Sequence, residues 1–438
     1  MKSAVFLAAA AGWAVAAQAQ TVSSNGAMFR GGPAHVGVYN SSAPRLDAVK
    51  WRFHASGKLF SSPTVSNGVV YIGSSSGRLY AVRAADGSPL WSFATKGAVN
   101  STPATWNGLV YVSSRDGNVY AVDEQTGQKR WSFVTGGERR FTAPGIHGIT
   151  PKSELMPDPF DVFLSSPAIA GGVLYIGSGD HNVYAIDAAT GALRWRFTTG
   201  NVVHASPAVA GGIVYVGSWD RYFYALDART GTLKWKFVTG DDRVTYNQVG
   251  IAGSAAVDNG MVFFGCRDSK FYALDAGTGR LAWKHDEHGS WVIGSAAVDA
   301  GTVYYTTSDE RRFWALNERD GSERFSVSYG AFAFSSPSLA SRVVYFGTFD
   351  GRLYAVDTQS GRVTDRFLTD SARQNLPAHL DKNGNLDIAP FYSDSTLDGV
   401  IVGLDRIYSL GSIAGSPSIV GGVLYVGSTE GILYAIGA

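Results

Sequence analysis

The chain has 438 residues, enough for one large buried core or for two ordinary domains. Its 37 Lys and Arg are balanced by 36 Asp and Glu, and a formal charge of +1 offers no field to draw in nucleic acid or an anionic membrane surface. One cysteine, Cys266, excludes an intramolecular disulfide and a thiolate metal cluster, and it reads as a small strand residue.

In chain order, the first element is an export signal over residues 1–19. Lys2 supplies the charge, "AVFLAAAAGWAVAA" the apolar run, and "AQA" at Ala17 to Ala19 the small-residue cleavage site. The run is too short and too Ala-rich to span a membrane, and no Cys follows it to carry a lipid anchor. A soluble periplasmic or secreted protein is expected, acting as a monomer. An N-terminal extension occupies residues 20–46, and repeats fill residues 47–438.

Stacked on "YA(V/I/L)" triplets, the chain places aromatic residues at Tyr80, Tyr120, Tyr184, Tyr224, Tyr272, Trp314, Tyr354 and Tyr434. That makes eight units with a base period of about 40 residues. In the unit from Ser165 to Phe197, "SSPAIAGGVLYIGSGDHNVYAIDAATGALRWRF", short β-branched and aromatic runs alternate with turn residues. This predicts four antiparallel strands, A to D, per unit. Such a sheet cannot cover both of its faces alone, so the units should stack radially. The predicted fold is all-β, an eight-bladed β-propeller. No segment after the signal shows a sustained helical stripe. The last unit stops after strand C, whereas "VKWRF" (Val49 to Phe53) is a strand D without a unit. It should complete the eighth blade and close the ring.

Asp123, Asp187, Asp227, Asp275 and Asp357 each open an x-x-(Thr/Ser)-Gly turn, where a carboxylate accepts backbone N–H groups. Trp91, Trp131, Trp195, Trp235 and Trp283 follow that Gly by four residues and, with Trp51, read as wedges between blades. Blades six and seven carry Phe325 and Asp365 at the Trp position, so irregular packing is expected at the seam between blades seven and eight.

Three inserts, residues 136–164, 240–252 and 368–414, all join strand D of one blade to strand A of the next. They therefore emerge on one face with the B–C turns, where a rigid scaffold presents its binding loops. That face collects the candidate ligand- or cofactor-binding residues: Arg115, Trp219, Asp220, Arg267 and Asp268 from B–C turns, and Arg139, Arg140, His204, Arg243, Tyr246, Asn247 and Trp291 from D–A connections. In "DKNGNLD", Asp381, Asn383, Asn385 and Asp387 alternate as oxygen ligands do in Ca²⁺ loops. The loop departs from the EF-hand at Leu386 and Tyr392, and a plain polar turn explains it as well. No G-x-S-x-G, H-E-x-x-H or phosphate-binding loop is present.

The stretch "VYVGSWDRYFYALDARTGTLKWKF" resembles the pyrroloquinoline quinone (PQQ) repeat, and "MFRGGPAHVGVY" (Met28 to Tyr39) is similar to the segment that precedes the first blade in such proteins. The resemblance covers nearly all of residues 28–438. It implies the eight-bladed fold, shared by quinoprotein dehydrogenases and by the propeller lipoprotein of the outer-membrane β-barrel assembly machinery. One reading it implies is a non-catalytic propeller binding an envelope protein or a small ligand, with no cofactor needed for the fold. The other is a dehydrogenase holding PQQ and Ca²⁺ at the channel mouth and oxidising an alcohol or sugar, with Trp219 or Trp291 as aromatic floor and Asp220 or Asp268 as base. Cys266 alone cannot form the adjacent-cysteine disulfide of the family's alcohol dehydrogenases, and no haem motif is present.

Overall fold

A computed structural model describes residues 28–241 and 249–437. The signal of residues 1–19, the start of the extension, Arg243, Tyr246 and Asn247 lie outside the described residues.

Eight sheets, each built around four antiparallel strands, form the ring. In blade three, strands A to D are Ala168–Ala170, Val173–Gly177, Asn182–Asp187 and Leu193–Thr198. The eighth sheet is completed by Val49–His54, which pairs antiparallel with Ile432–Ile436 and sets Trp51 opposite Ala435 and Arg52 opposite Tyr434. Its register shifts between Val49 and Trp51, just as the C–D pairing of blade two shifts between Lys129 and Trp131. The orphan strand is thus a true strand D, and the ring closes as the repeats require.

The wedges work as pairs across each seam. Trp195 Nε1 donates to the Ala228 carbonyl of the next blade at 2.9 Å, and Trp51, Trp91, Trp131, Trp235 and Trp283 make the equivalent bond. Each ring lies against the turn glycine of that next blade: a Cβ on Gly231, whose φ is +72°, would stand 2.6 Å from the Trp195 ring. Only glycine satisfies both the left-handed turn and the close ring. Phe325 meets Gly361 in the same way. Blade eight has no C–D turn, hence no glycine for a wedge at position 365. There Asp365 accepts from the Leu46 amide at 2.7 Å, Tyr345 donates to the Pro44 carbonyl at 2.7 Å, and Tyr39 and Leu46 fill the gap. The expected irregularity at this seam is corrected: the N-terminal segment packs it.

Around the channel, hydroxyls that precede the A strands staple neighbouring blades. Ser166 N–H donates to Ser206 Oγ at 2.9 Å, Ser206 to Ser254 at 2.7 Å, Ser336 to Ser416 at 3.0 Å, and Ser416 to Ser62 at 2.8 Å across the closing seam. Residues 33–37 then run across the channel itself. The amides of Val209, Val257, Val298 and Leu339, in the A strands of four successive blades, donate to the carbonyls of Pro33, Ala34, Val36 and Gly37. Arg30 fixes this plug by donating to the Pro337 and Ala296 carbonyls. A void of about 50 Å³ remains, lined by the hydroxyl ring and Phe29.

The inserts build a cap over the opposite end. The third contains two helices, α1 (Asp370–Asn375) and α2 (Leu397–Tyr408), which corrects the expectation that no helix follows the signal. Thr396 caps α2 by accepting from the Gly399 amide. Val400, Leu404, Ile407 and Tyr408 then lie one above another and pack on Phe60, Phe332 and Phe349. The first and third inserts meet where the Thr150 amide donates to the Ser395 carbonyl at 2.8 Å.

Candidate functional site

A single offset in the repeat explains how the B–C turns feed the insert-bearing face. Four residues before the strand C tyrosine, an acid latches the turn. Asp220 Oδ2 accepts from Tyr224 Oη and from the Gly200 amide, both at 2.6 Å, and Asp268 Oδ2 from Tyr272 Oη at 2.5 Å and the Gly240 amide at 2.7 Å. Asp116, Asp180 and Glu430 repeat the arrangement. Asp220 and Asp268, read from sequence as base candidates, each commit their Oδ2 to this latch. The residue just before the latch varies from blade to blade. It is Arg115, Trp219, Arg267, Asp309 and Phe349 in blades two, four, five, six and seven.

The first insert uses most of these residues as anchors. Arg267, 1% exposed, donates to Asp158 Oδ2 and to His147 Nε2 (3.2 Å), both on the insert. Its guanidinium lies 3.5 Å from the centre of the Trp291 ring and 4.7 Å from that of Trp219. Burial alone would raise the Asp158 carboxyl; the Arg267 guanidinium outweighs it and holds that carboxyl well below the usual range. Burial also lowers His147, which Asp158 only partly offsets, so its ring is neutral at pH 7 and accepts from Arg267. Phe141 of the insert stacks on Trp219 at 4.3 Å and 13°. Arg115 donates to the Asp161 carbonyl at 2.6 Å.

His204 staples both ends of the same insert. Its Nδ1 is 2.6 Å from Asp161 Oδ1 and its Nε2 3.2 Å from Glu138 Oε2, so both ring nitrogens donate and the ring is an imidazolium. Burial opposes the charge, but Asp161 and Glu138 outweigh it and raise the pKa to about 9. A folded value above the unfolded 6.5 gives a stabilisation fully present below pH 6.5 and lost as pH rises through 9, on the order of 3 kcal/mol. Melting curves should show a decline over pH 6.5–9 that His204→Gln lacks. Parallel declines in the two proteins would remove His204 as the cause.

The remaining candidates are dispersed. Arg139 and Arg140 are exposed. In the 381–387 loop, Asp381 Oδ1 accepts from the amides of Asn383 (2.8 Å) and Asn385 (2.9 Å), a polar turn complete in itself, and Asn383 and Asp387 are exposed. Among the described residues no three His, Cys, Asp or Glu side chains converge as a metal set. Sequence reasoning missed Phe141, His147, Asp158, Phe160 and Asp161. The signal was there in the insert's composition, since "FTAPGIHGI" and "PFDVFL" are too apolar for a solvated loop.

The mouth does not fit PQQ. A quinone needs an open aromatic face and free cations; here Phe141 and Arg267 cover Trp219, and Arg267 and Arg115 are bonded to the first insert. Open space lies further out, between the first and third inserts. A pocket of about 490 Å³ there is lined by Phe160, Trp291, Asp309, Phe332 and Tyr392, among others.

No curated protein matches the chain. Among solved structures, it superposes on BamB from Moraxella catarrhalis with a TM-score of 0.63 at 15% identity, covering 89% of this chain and 99% of that one. The quinohemoprotein alcohol dehydrogenase from Comamonas testosteroni gives 0.68 at 15% identity, covering 94% and 80%. A europium-containing methanol dehydrogenase gives 0.66 at 14%, covering 92% and 90%. These likenesses speak for the fold alone. A family model described as "Outer membrane protein assembly factor BamB" matches residues 38–156, 152–286 and 243–381, most of the propeller, and the chain belongs to that family of PQQ-repeat propellers.

Proposed function

We propose that the protein is an exported, non-catalytic propeller that works in the cell envelope by binding through its insert-bearing face. The observation that carries this reading is the fate of the mouth residues. Arg267, Trp219, Arg115 and His204 hold the first insert down, so the end of the channel is a sealed cap rather than a reaction chamber. What the face still offers is the outside of that cap, with its pocket between two inserts. The family model's description as an assembly factor supports a binding role, and no helix among the described residues is long and apolar enough to cross a membrane.

The competing reading, a quinoprotein dehydrogenase, is favoured only by fold-level likeness. The test is to titrate PQQ with Ca²⁺ into the full chain while following tryptophan fluorescence, quinone absorbance and dye-linked oxidation across alcohols and sugars. No saturable change is expected, because Trp219 is already covered by Phe141 and Arg267 and the guanidinium groups of the mouth are bonded to the first insert. Saturable binding with turnover would overturn the proposal.

A further inference from the structure

The pocket between the first and third inserts has a chemistry that selects its ligand. Its volume of about 490 Å³ lies within the range of small-molecule sites. Phe160 from the first insert, Trp291 and Phe332 from D–A connections, and Ile388, Tyr392 and Val400 from the third insert make most of its wall. Its charges are all of one sign. Asp394 is committed to the start of α2, where its Oδ1 accepts from the Thr396 amide at 2.8 Å and hydroxyl at 2.5 Å. His147 is neutral, and Arg267 lies behind Trp291, paired with Asp158. Asp309 has no basic side chain within ion-pair distance among the described residues, and it is exposed to solvent where it lines the pocket. It occupies in blade six the position that gives Trp219 and Arg267 in blades four and five.

We propose that this pocket binds a small organic cation, an amine or quaternary ammonium carried on an apolar or aromatic body, with Asp309 as its counter-ion and the surrounding rings as its cage. An anion would meet two carboxylates and no cation. A neutral apolar molecule would bury Asp309 beside it without a partner, at a cost of desolvation. A cation gains from the carboxylate and from the electron-rich ring faces together. Surrounding protein already raises the Asp309 carboxyl, and the hydrogen bond from Ser308 offsets this only in part.

This inference rests on the binding-face reading, and its test separates the two. Three matched probes, 3-phenylpropylamine, 3-phenylpropan-1-ol and 3-phenylpropionate, are titrated into the full chain by calorimetry and tryptophan fluorescence. Saturable binding of the amine is expected, with the alcohol about tenfold weaker or more and the carboxylate weaker still. Asp309→Asn should cost the amine about tenfold while leaving the alcohol within about twofold and the melting temperature unchanged. Tyr392→Ala should weaken both. Equal binding of amine and alcohol, indifference of the amine to Asp309→Asn, or no saturation with any probe would overturn the inference. With PQQ also failing to bind, that result leaves the function proposed above standing; PQQ binding with turnover would fell the function instead.

Discussion

Replacing Arg267 with Ala is expected to lower the stability of the protein by about 3–5 kcal/mol and to release the first insert from the channel mouth. The side chain is 1% exposed and its partner Asp158 is fully buried, so truncation leaves a carboxylate in a low-dielectric site with only the neutral His147 and the Phe160 amide beside it. It also removes the plane that fills the space between Trp219 and Trp291. Lys is no substitute, because it can neither stack on the indoles nor reach Asp158 and His147 at once. The expected signs are a lower denaturation midpoint, a red-shifted tryptophan emission and new protease cleavage within residues 136–164. Asp158→Asn combined with Arg267→Met removes both charges and keeps most of the packing, and it should cost less than Arg267→Ala alone. A loss below about 1 kcal/mol in Arg267→Ala would mean that the insert is anchored by something else.

Much of the fold was legible because it is written eight times. The YA(V/I/L) register, the Trp–Gly offset and the missing strand D each recur or fail to recur at fixed spacing, and Trp51 opposite Ala435 is what that arithmetic requires. The site was legible in proportion to its share in the repeat. Arg115, Trp219 and Arg267 were found because they break the pattern at one offset. Asp220 and Asp268 were over-read, since the acid four residues before the strand C tyrosine also occurs as Asp116 and Asp180 and is part of the pattern. Asp309 stands at the informative offset and was passed over. The inserts carry no repeat to read against, and their partners lie far away in sequence: Asp158 pairs with Arg267, and Thr150 with Ser395. Helix α2 runs against the expectation that no segment shows a sustained helical stripe: Thr396 caps it, and Val400, Leu404, Ile407 and Tyr408 follow at helical spacing.

The two ends of the channel are closed by different means, and this decides where function can sit. One end holds the plug of residues 33–37, bonded mainly through its backbone to four A strands, with Arg30 as its side-chain tie. The other end holds the first insert, fastened by side chains whose partners could each be lost by one substitution. An architecture fixed by backbone at one end and by side chains at the other places the variable chemistry on the capped end, where the pocket opens.

Removal of residues 28–54 is expected to abolish cooperative folding, the largest effect of any change considered. The loss is threefold: the plug, the Trp51 wedge against Gly87, and the strand that covers the outer edge of Ile432–Ile436. The wedge alone is worth about 3–5 kcal/mol on truncation of its ring. The exposed edge adds unpaired N–H and C=O groups that template association with other chains. Together these rival the 5–15 kcal/mol or so of net stability of an ordinary domain. Moving the clasp isolates its share. In one variant, Asp47 to His54 is removed from the front and Val49 to His54 is joined after Ala438 through a copy of Arg229 to Thr232 from the blade four turn, giving blade eight the same spacing between strands C and D as the others. The residues before Asp47 are kept and joined to Ala55 through a flexible linker. Because strand D does the same work whichever end supplies it, this chain should unfold in one transition near that of the parent, whereas deletion of Asp47 to His54 without replacement should give soluble aggregates and a broad, probe-dependent transition. If the transposed chain stays unfolded, or if the deletion melts as sharply as the parent, then the clasp does not hold the ring shut and its stability resides in the blades taken singly.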